Sequence, residues 1–456
     1  MQIEGILNER KVCIDIKGKR ARLIDKCSNP FLKNVWVMPG FVDNHLHPLE
    51  FGLSLMFPSL RGLTQEEILD TFAQRKEDFI YAFNYTPSNE KPLTEKELNK
   101  FNKPVVIRKV DGHSVYLNNR AQNLLKAHGF EHRGKDNEQI IEKWENEFID
   151  KDIKIEAFLK ADRTLIKEGI VRYAALTGND YPSNNDCELL DSIKHRLKAQ
   201  PYIFCQTYNI KRVLRNGWQR IGGCILIDGS FGSHTAALLE PYNDKDTKGI
   251  LYPEQKRDEF LAFLERAIKY ELQTAFHAIG DRAISFLLDA YEKVIEKPNP
   301  LKARVEHAEL LNDELLTRIS RLKLILSMQP AFISTWGGKN KMYDKRLGTR
   351  WKNTARFKDI IERDIVLVSG SDAPITYPSP IKGIKTLINN PNKEQSIDLS
   401  LAIKTYTSYG HYALNIKETF FPSDEGIADI VIFNNNPFKN GEITHVIKEG
   451  KIVYKN

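Results

Sequence analysis

Histidine and aspartate residues stand near the ends of several apolar segments of this sequence, where they could hold a metal ion. His45 and His47 form an HxH pair at the end of FVDNHLH. His277 lies in TAFHAIG, His307 in RVEHAEL, and Asp372 ends IVLVSGSD. Side chains alternate along a strand, so two residues that are two apart point to the same face. Neutral imidazoles together with a carboxylate are a ligand set typical of zinc.

The apolar segments alternate with amphipathic helical patterns from about residue 40 to 412, which is typical of repeated βα units. A closed (β/α)8 TIM barrel uses eight strands, and in this fold the active site lies at the carboxyl ends of those strands. The interval after the first strand candidate is the longest and very polar, so we place residues 105–110 in an insertion over about 49–157. The nine strand candidates are 41–47, 105–110, 170–176, 202–208, 224–230, 274–280, 304–310, 324–330 and 365–372.

The two ends of the chain have a different pattern, with short alternating strands separated by turn residues. Neither end is large enough to bury a core alone. We therefore expect residues 1–38 and 413–456 to form a composite β-sandwich jointly. Residues 39–412 would then form the α/β barrel with its insertion.

Composition excludes several classes of protein. The chain has 456 residues with 67 basic and 60 acidic side chains, and 41% of its residues are hydrophobic. These values are ordinary for a globular protein and exclude a disordered chain, a collagen and a coiled coil. Lysine and glutamate interleave, which indicates a solvated surface and no nucleic-acid partner. A small-molecule substrate is the expected partner, and homo-oligomerisation stays open.

The location of the protein is expected to be cytoplasmic. No stretch approaches the ~18 apolar residues that a membrane span needs, and the first residues do not resemble a signal peptide. The five cysteines are scattered without a CxxC pair. Such sparse cysteines fit a reducing compartment and argue against a disulfide framework.

The order and the sequences of the motifs resemble those of a known family. MPGFVDNHLH, DGHSVYLNN, IDGSFGSHTAALLEPY, FHAIGDRAI, RVEHAEL, SMQP and GSDAP are similar to segments of the metal-dependent amidohydrolase superfamily, specifically amidohydrolase family 3, the YtcJ-like branch. The resemblance implies metal ligation by His45, His47, His277 and His307. It implies that Asp372 is both a ligand and the proton acceptor.

The same resemblance suggests substrate contacts outside the ligand set. The segment from Asp111 to His113 is expected to reach from the insertion over the site, and Asp228 of the DGS motif is expected near the substrate. His234 stands where the family usually has arginine. His113 or His234 would be the donor that stabilises an oxyanion.

Cys224 departs from the family pattern, because relatives usually carry a lysine four residues before the Asp of DGS. If the strand ends near Ile225 and the chain curls over the barrel mouth, the Cys224 thiolate can touch a metal. If the strand runs straight through Ile227, Cys224 is a small buried apolar residue. We expect one tightly held Zn²⁺, with a second site weak or empty.

The expected reaction is hydrolysis of a non-peptide C–N bond, in an amide, formamide or related small molecule, by metal-activated water. One alternative is a deaminase of the same superfamily, which would release ammonia from an amidine carbon. The other is a non-catalytic binding protein on the same fold. An ammonia assay separates the first two, and a metal-free native protein would favour the third.

Overall fold

The computed structural model describes residues 1–86, 92–110, 114–130, 137–294 and 301–456, with the backbone only for residues 137 and 138. Within these ranges the chain forms nineteen strands and seventeen α-helices. The strands are β1 (Gln2–Leu7), β2 (Arg10–Lys17), β3 (Arg20–Ile24), β4 (Leu32–Pro39), β5 (Phe41–Leu46), β6 (Ile80–Tyr85), β7 (Val105–Lys109), β8 (Val115–Leu117), β9 (Ile170–Thr177), β10 (Gln200–Cys205), β11 (Arg220–Ile221), β12 (Gln273–Ala278), β13 (Arg304–His307), β14 (Ile325–Met328), β15 (Leu367–Ser369), β16 (Gly426–Ile427), β17 (Ile430–Phe433), β18 (Ile443–Lys448) and β19 (Lys451–Lys455).

The helices alternate with the strands over most of the chain. They are α1 (Pro48–Met56), α2 (Gln65–Ala73), α3 (Glu95–Leu98), α4 (Asn119–Ala127), α5 (Asn137–Glu147), α6 (Lys151–Lys167), α7 (Asp186–Ile193), α8 (Ile210–Arg215), α9 (Arg257–Lys269), α10 (Asp281–Val294), α11 (Asp313–Leu322), α12 (Pro330–Trp336), α13 (Met342–Leu347), α14 (Phe357–Glu362), α15 (Pro380–Ile388), α16 (Leu399–Thr405) and α17 (Ser408–Ala413). None of the described helices is long and apolar enough to cross a bilayer.

Eight parallel strands form the barrel, in the order β5, β9, β10, β11, β12, β13, β14, β15. The two outer strands meet through a parallel bridge between Leu46 and Ala373, and the Asp372 amide donates to the His45 carbonyl at 2.8 Å. The strands are buried on both faces, as in other parallel sheets. The predicted α/β barrel is therefore confirmed.

The surplus strand candidate lies outside the barrel, as predicted. It is β7, the middle strand of a three-stranded sheet with β6 and β8. This sheet belongs to the insertion that follows β5. Its own apolar core includes Leu60, Phe72, Ile80 and Val105.

The two ends of the chain share one eight-stranded sheet, in which β4 from the amino end pairs antiparallel with β17 from the carboxyl end. This sheet has an apolar core separate from the barrel, with Ile3, Ile14, Ile430 and Ile432 among its members. A fold unit built jointly from both termini was predicted and is confirmed.

The expectation that the cysteines form no disulfide is wrong for one pair. Cys13 and Cys27 are bonded, with their Cα atoms 5.5 Å apart. The cause is the β2–β3 hairpin, which places Cys13 opposite Ile24, so the chain three residues later returns within bonding distance. The other three cysteines are free and buried.

The fifth predicted strand is wrong in position. The strand candidate covered residues 224–230, whereas β11 ends at Ile221. Gly222 and Gly223 follow with φ of 96° and 72°, a backbone conformation that ends a strand. A Cβ on Gly222 would lie 2.2 Å from the Ala275 carbonyl oxygen, so only glycine fits there.

Candidate metal centre

Six potential ligands converge at the carboxyl ends of the barrel strands. His45 lies in β5 and His47 directly follows that strand, while His277 and His307 lie near the ends of β12 and β13. Asp372 follows β15 by three residues and Cys224 follows β11 by three. We call these six residues, His45, His47, Cys224, His277, His307 and Asp372, the donor cluster.

The donor atoms lie close enough to share a metal ion. Three overlapping groups each have their ligand atoms within 4.8 Å of one another. The groups are His45, His47 and Cys224; Cys224, His277 and His307; and His45, His307 and Asp372. Asp372 Oδ1 lies 3.3 Å from His45 Nε2 and 3.2 Å from His47 Nε2.

Cys224 belongs to this arrangement because its strand ends early. Its Sγ lies 3.4 Å from His277 Nδ1 and 3.7 Å from His307 Nε2. The glycines after β11 turn the chain toward the barrel mouth, which is the first of the two geometries considered for this residue. The thiol therefore faces two of the predicted ligands.

Partners behind His45 and His307 hold the Nδ1 atom of each ring, so that the other ring nitrogen points into the cluster. His45 Nδ1 lies 2.7 Å from Glu306 Oε2, and Arg304 in turn donates to Glu306 at 2.8 Å. His307 Nδ1 donates to Gln329 Oε1 at 2.7 Å. Such partners fix the tautomer and ring orientation of metal-ligating histidines.

Glu306 and Gln329 were missed as site residues by sequence reasoning, although both stood inside quoted motifs. RVEHAEL contains Glu306, and SMQP contains Gln329. Glu306 is one residue before His307, yet it contacts His45 on another strand. This contact depends on barrel closure, which no local spacing reveals.

The charges of the donor cluster favour a bound cation. Burial opposes ionisation of Asp372, but the nearby charges of His45 and His47 hold the pKa of the carboxyl well below its usual range. Burial also opposes the Cys224 thiolate, but the nearby charges of His277 and His45 hold its pKa well below the usual value. Asp372 is therefore anionic at neutral pH, and the surroundings of Cys224 favour its thiolate form.

The pKa values of His45, His47 and His277 are raised, whereas burial lowers the pKa of His307. Burial disfavours the charged ring of His47, but hydrogen bonds with Asp372 and Cys224 raise the pKa of His47 to about 10. Against the same effect of burial, attraction to Cys224 raises the pKa of His277 to about 9. A metal ion would compete with these protons for the same atoms.

The Asp228 carboxylate is bound by other residues of this protein. Its carboxylate is fully buried and accepts from the amides of Ala237, Ile279 and Gly280, at 2.8 to 2.9 Å. It lies 3.7 Å from His277 Nε2. Burial raises the pKa of Asp228 to about 6. The structure thus places Asp228 behind the donor cluster, near His277, whose Nε2 lies 3.1 Å from the Gly229 carbonyl oxygen.

The other predicted substrate contacts lie elsewhere or outside the described residues. His234 Nε2 lies 3.0 Å from Asp244 Oδ1, and its ring packs edge-on against Tyr242. It lines neither of the two cavities beside the donor cluster. Asp111 and His113 lie outside the described residues, so their placement over the site stays a prediction.

Two unlike cavities meet at the donor cluster, and both reach His277, His307 and Asp372. The first, which we call the apolar cavity, has about 110 Å³ and is lined mainly by Phe231, Ile279, Phe332, Trp336, Met342 and Tyr343. The second, the polar cavity, has about 420 Å³ and its charged or amide lining includes Glu50, Arg108, Glu142, Glu145, Asp180 and Gln206.

The barrel and the donor cluster define the class of protein, a hydrolase that depends on a divalent metal. The family model described as "Amidohydrolase family" matches residues 32–147 and 210–454, so the chain belongs to the amidohydrolase family. Putative amidohydrolase YtcJ from Bacillus subtilis is 26% identical over 96% of this chain and 93% of its own length. The resemblance to the YtcJ-like branch is confirmed.

Solved structures agree on the fold. An uncharacterized metal-dependent hydrolase from Pyrococcus furiosus superposes with a TM-score of 0.78 at 23% identity, over 96% of this chain and 99% of that chain. A similar protein from Pyrococcus horikoshii OT3 gives a TM-score of 0.78 at 24% identity, over 99% and 98% of the two chains. At these identities the likeness shows the common fold.

Proposed function

We propose that this chain hydrolyses a non-peptide C–N bond, in an amide, formamide or related small molecule, with Zn²⁺ in the donor cluster. The observation that carries this proposal is the convergence of His45, His47, Cys224, His277, His307 and Asp372 at the barrel mouth, where two cavities meet. Family membership supports the reaction class.

The donor cluster fits a divalent metal chemically. Imidazole nitrogen, thiolate sulfur and carboxylate oxygen are the donors that zinc prefers. His45 Nε2 is buried and makes no hydrogen bond, so a ligand would satisfy it. When bound, such an ion polarises a carbonyl group and lowers the pKa of water.

Asp372 would move the proton. It is a carboxylate at neutral pH, and His45 and His47 hold its Oδ1 between them. As a water oxygen bonds to the substrate carbon, Asp372 accepts a proton from that water. It then delivers the proton to the leaving nitrogen as the C–N bond breaks. The products are a carboxylic acid and an amine.

A substrate panel tests the proposal. Zinc-loaded protein is incubated with N-acyl amines, N-formyl amines, cyclic amides, dipeptides and cyclic amidines, and both amine and ammonia release are measured. Amine release from the amides, abolished in Asp372→Asn, supports the proposal. Ammonia released only from amidines would favour a deaminase, and cleavage confined to dipeptides would make it a peptidase. If no compound is turned over and the protein is natively folded without metal, a binding protein would be favoured.

A further inference from the structure

The two cavities beside the donor cluster differ sharply in chemistry, which bears on the substrate. Resting on the proposed function for the position of the reaction, we infer that the substrate has two unlike ends. An aromatic or branched apolar group fills the apolar cavity, and a cationic, hydrogen-bond-donating group lies in the polar cavity. The bond to be cleaved joins them over the donor cluster.

The side chains that line the smaller cavity indicate the apolar end of the substrate. Phe332 is buried and packs edge-on against Trp336, with ring centroids 4.8 Å apart. Phe332 also stacks against the ligand His307, with ring planes 19° apart. A group held against these rings would therefore reach the donor cluster directly. Away from the donor cluster the walls are mainly apolar, and the Glu309 carboxylate among them accepts from Tyr343, so this cavity favours an apolar ligand.

Two acceptor atoms without a hydrogen-bond donor indicate the chemistry of the polar end of the substrate. Glu50 Oε2 and Gln206 Oε1 are both buried atoms without a hydrogen bond, and both residues line the polar cavity. A buried acceptor without a donor is costly, so a substrate that brings N–H groups gains by satisfying it. The two acceptors favour a donor at this end rather than an anion.

The formal charge of the described lining points the same way. Outside the donor cluster, Glu50, Glu142, Glu145 and Asp180 line the polar cavity together with one guanidinium, that of Arg108. Arg108 is paired at 2.8 Å with Glu145, which also accepts from Tyr81. This excess of acidic side chains over guanidinium in the described lining favours a cationic substrate end and disfavours a carboxylate.

Binding of small probes to the metal-loaded protein tests this inference without any turnover. The probe is 3-phenylpropylguanidinium, whose ends match the two cavities and whose guanidinium does not coordinate metal because it stays protonated. Propylguanidinium lacks the ring, and 3-phenyl-1-propanol lacks the charge. Calorimetry should show that each incomplete probe binds at least tenfold more weakly than the complete one.

Two variants assign the ends. Trp336→Ala should weaken the complete probe at least fivefold and leave propylguanidinium unchanged, whereas Trp218→Ala, a tryptophan outside both cavities, should change neither. Glu50→Gln should weaken both guanidinium probes and leave the alcohol unchanged, with the exposed Glu259→Gln as control. Equal affinities for all probes, no binding of the complete probe, or insensitivity to both variants would overturn the inference. Binding as predicted without hydrolysis of any amide would instead count against the proposed function alone.

Discussion

Asp372 is the residue that transfers the proton in the proposed reaction. Asp372→Asn should keep the fold and the bound metal but lose about 10²–10⁴-fold in kcat, because an amide oxygen can still coordinate while it no longer accepts a proton. Steady-state kinetics on a substrate from the panel, beside metal analysis, decides this. Activity within tenfold of the wild type would remove Asp372 from this role.

Cys224 is the second residue whose role can be measured directly. With its Sγ between His277 and His307, its thiolate should bind the metal. Cobalt-substituted protein should then show a sulfur-to-cobalt charge-transfer band that Cys224→Ser lacks, with Cys205→Ser as the buried-thiol control. A band of equal intensity in Cys224→Ser would exclude the ligand role. One equivalent of zinc should survive dialysis against a mild chelator, and two would contradict a weak second site.

The positions of the candidate ligands at the barrel mouth were predictable from sequence because histidine or aspartate stands at the end of several successive strands, in the order that the family resemblance also implies. Glu306 and Gln329 were not, since their contacts cross between neighbouring or distant strands. The direction of the Cys224 side chain was left open for the same reason. It depends on where β11 ends, and two residues of strand are too few to recognise by alternation.

At the scale of elements, the early end of β11 places Cys224 in the donor cluster. Gly222→Ala should displace it, because the added methyl meets the Ala275 carbonyl at 2.2 Å in a backbone with φ of 96°. We expect the variant to lose several-fold in metal affinity and at least about 2 kcal/mol of stability. Metal titration and denaturation measure the two effects.

Gly217→Ala is the matched control. Its φ is 69°, but nothing lies within 4 Å of the added Cβ, so it should cost only about 1 kcal/mol and leave metal binding unchanged. Equal effects in the two variants would show that the close approach at Gly222 does not position Cys224.

The order of elements was more predictable than their bounds. Long apolar segments such as the one that becomes β9 are recognised because they are continuous and flanked by helices. One strand candidate more than the eight of a closed barrel also indicated the insertion from the sequence alone. The joint sheet of both termini followed from the small size of each end, whereas the Cys13–Cys27 bond required the β2–β3 register.

At the scale of the whole molecule, the donor cluster links stability to pH. The pKa values of about 10 for His47 and about 9 for His277 lie above the ~6.5 of an unfolded histidine. The two histidines therefore stabilise the folded protein fully below pH ~6.5, and this stabilisation is lost as the pH rises through 9 and 10. Cys224 has a depressed pKa, so its contribution to stability increases with pH. It can compensate for the contribution of only one of the two histidines.

The metal-free protein should therefore melt at progressively lower temperature between pH 7 and 10. Zinc affinity should rise over the same interval, because fewer protons then compete for the ligands. Calorimetry of the metal-free and zinc-loaded forms measures both. A melting temperature of the metal-free form that rises with pH would contradict the assignment.

A buried ion pair joins the barrel to the terminal sheet. Arg172 of β9 lies 2.8 Å from Asp429, and both side chains are almost fully buried. Asp429→Ala should destabilise the protein by about 3 kcal/mol because it leaves the buried arginine charge with Glu449 at 3.8 Å as its nearest described carboxylate. Replacing both residues, with Arg172→Met, should cost less than the single change, and urea denaturation compares them. A larger loss in the double variant would contradict this view of the pair.

A metal ion bound by the donor cluster can be located by anomalous diffraction at the zinc absorption edge. In crystals of zinc-loaded protein, one strong peak should lie within bonding distance of Cys224 Sγ and of histidine nitrogens among His45, His47, His277 and His307. The same map from Cys224→Ser with His277→Ala should lack it. A zinc-loaded crystal with no peak at this end of the barrel, or with its only peaks away from these side chains, would contradict metal binding by the donor cluster.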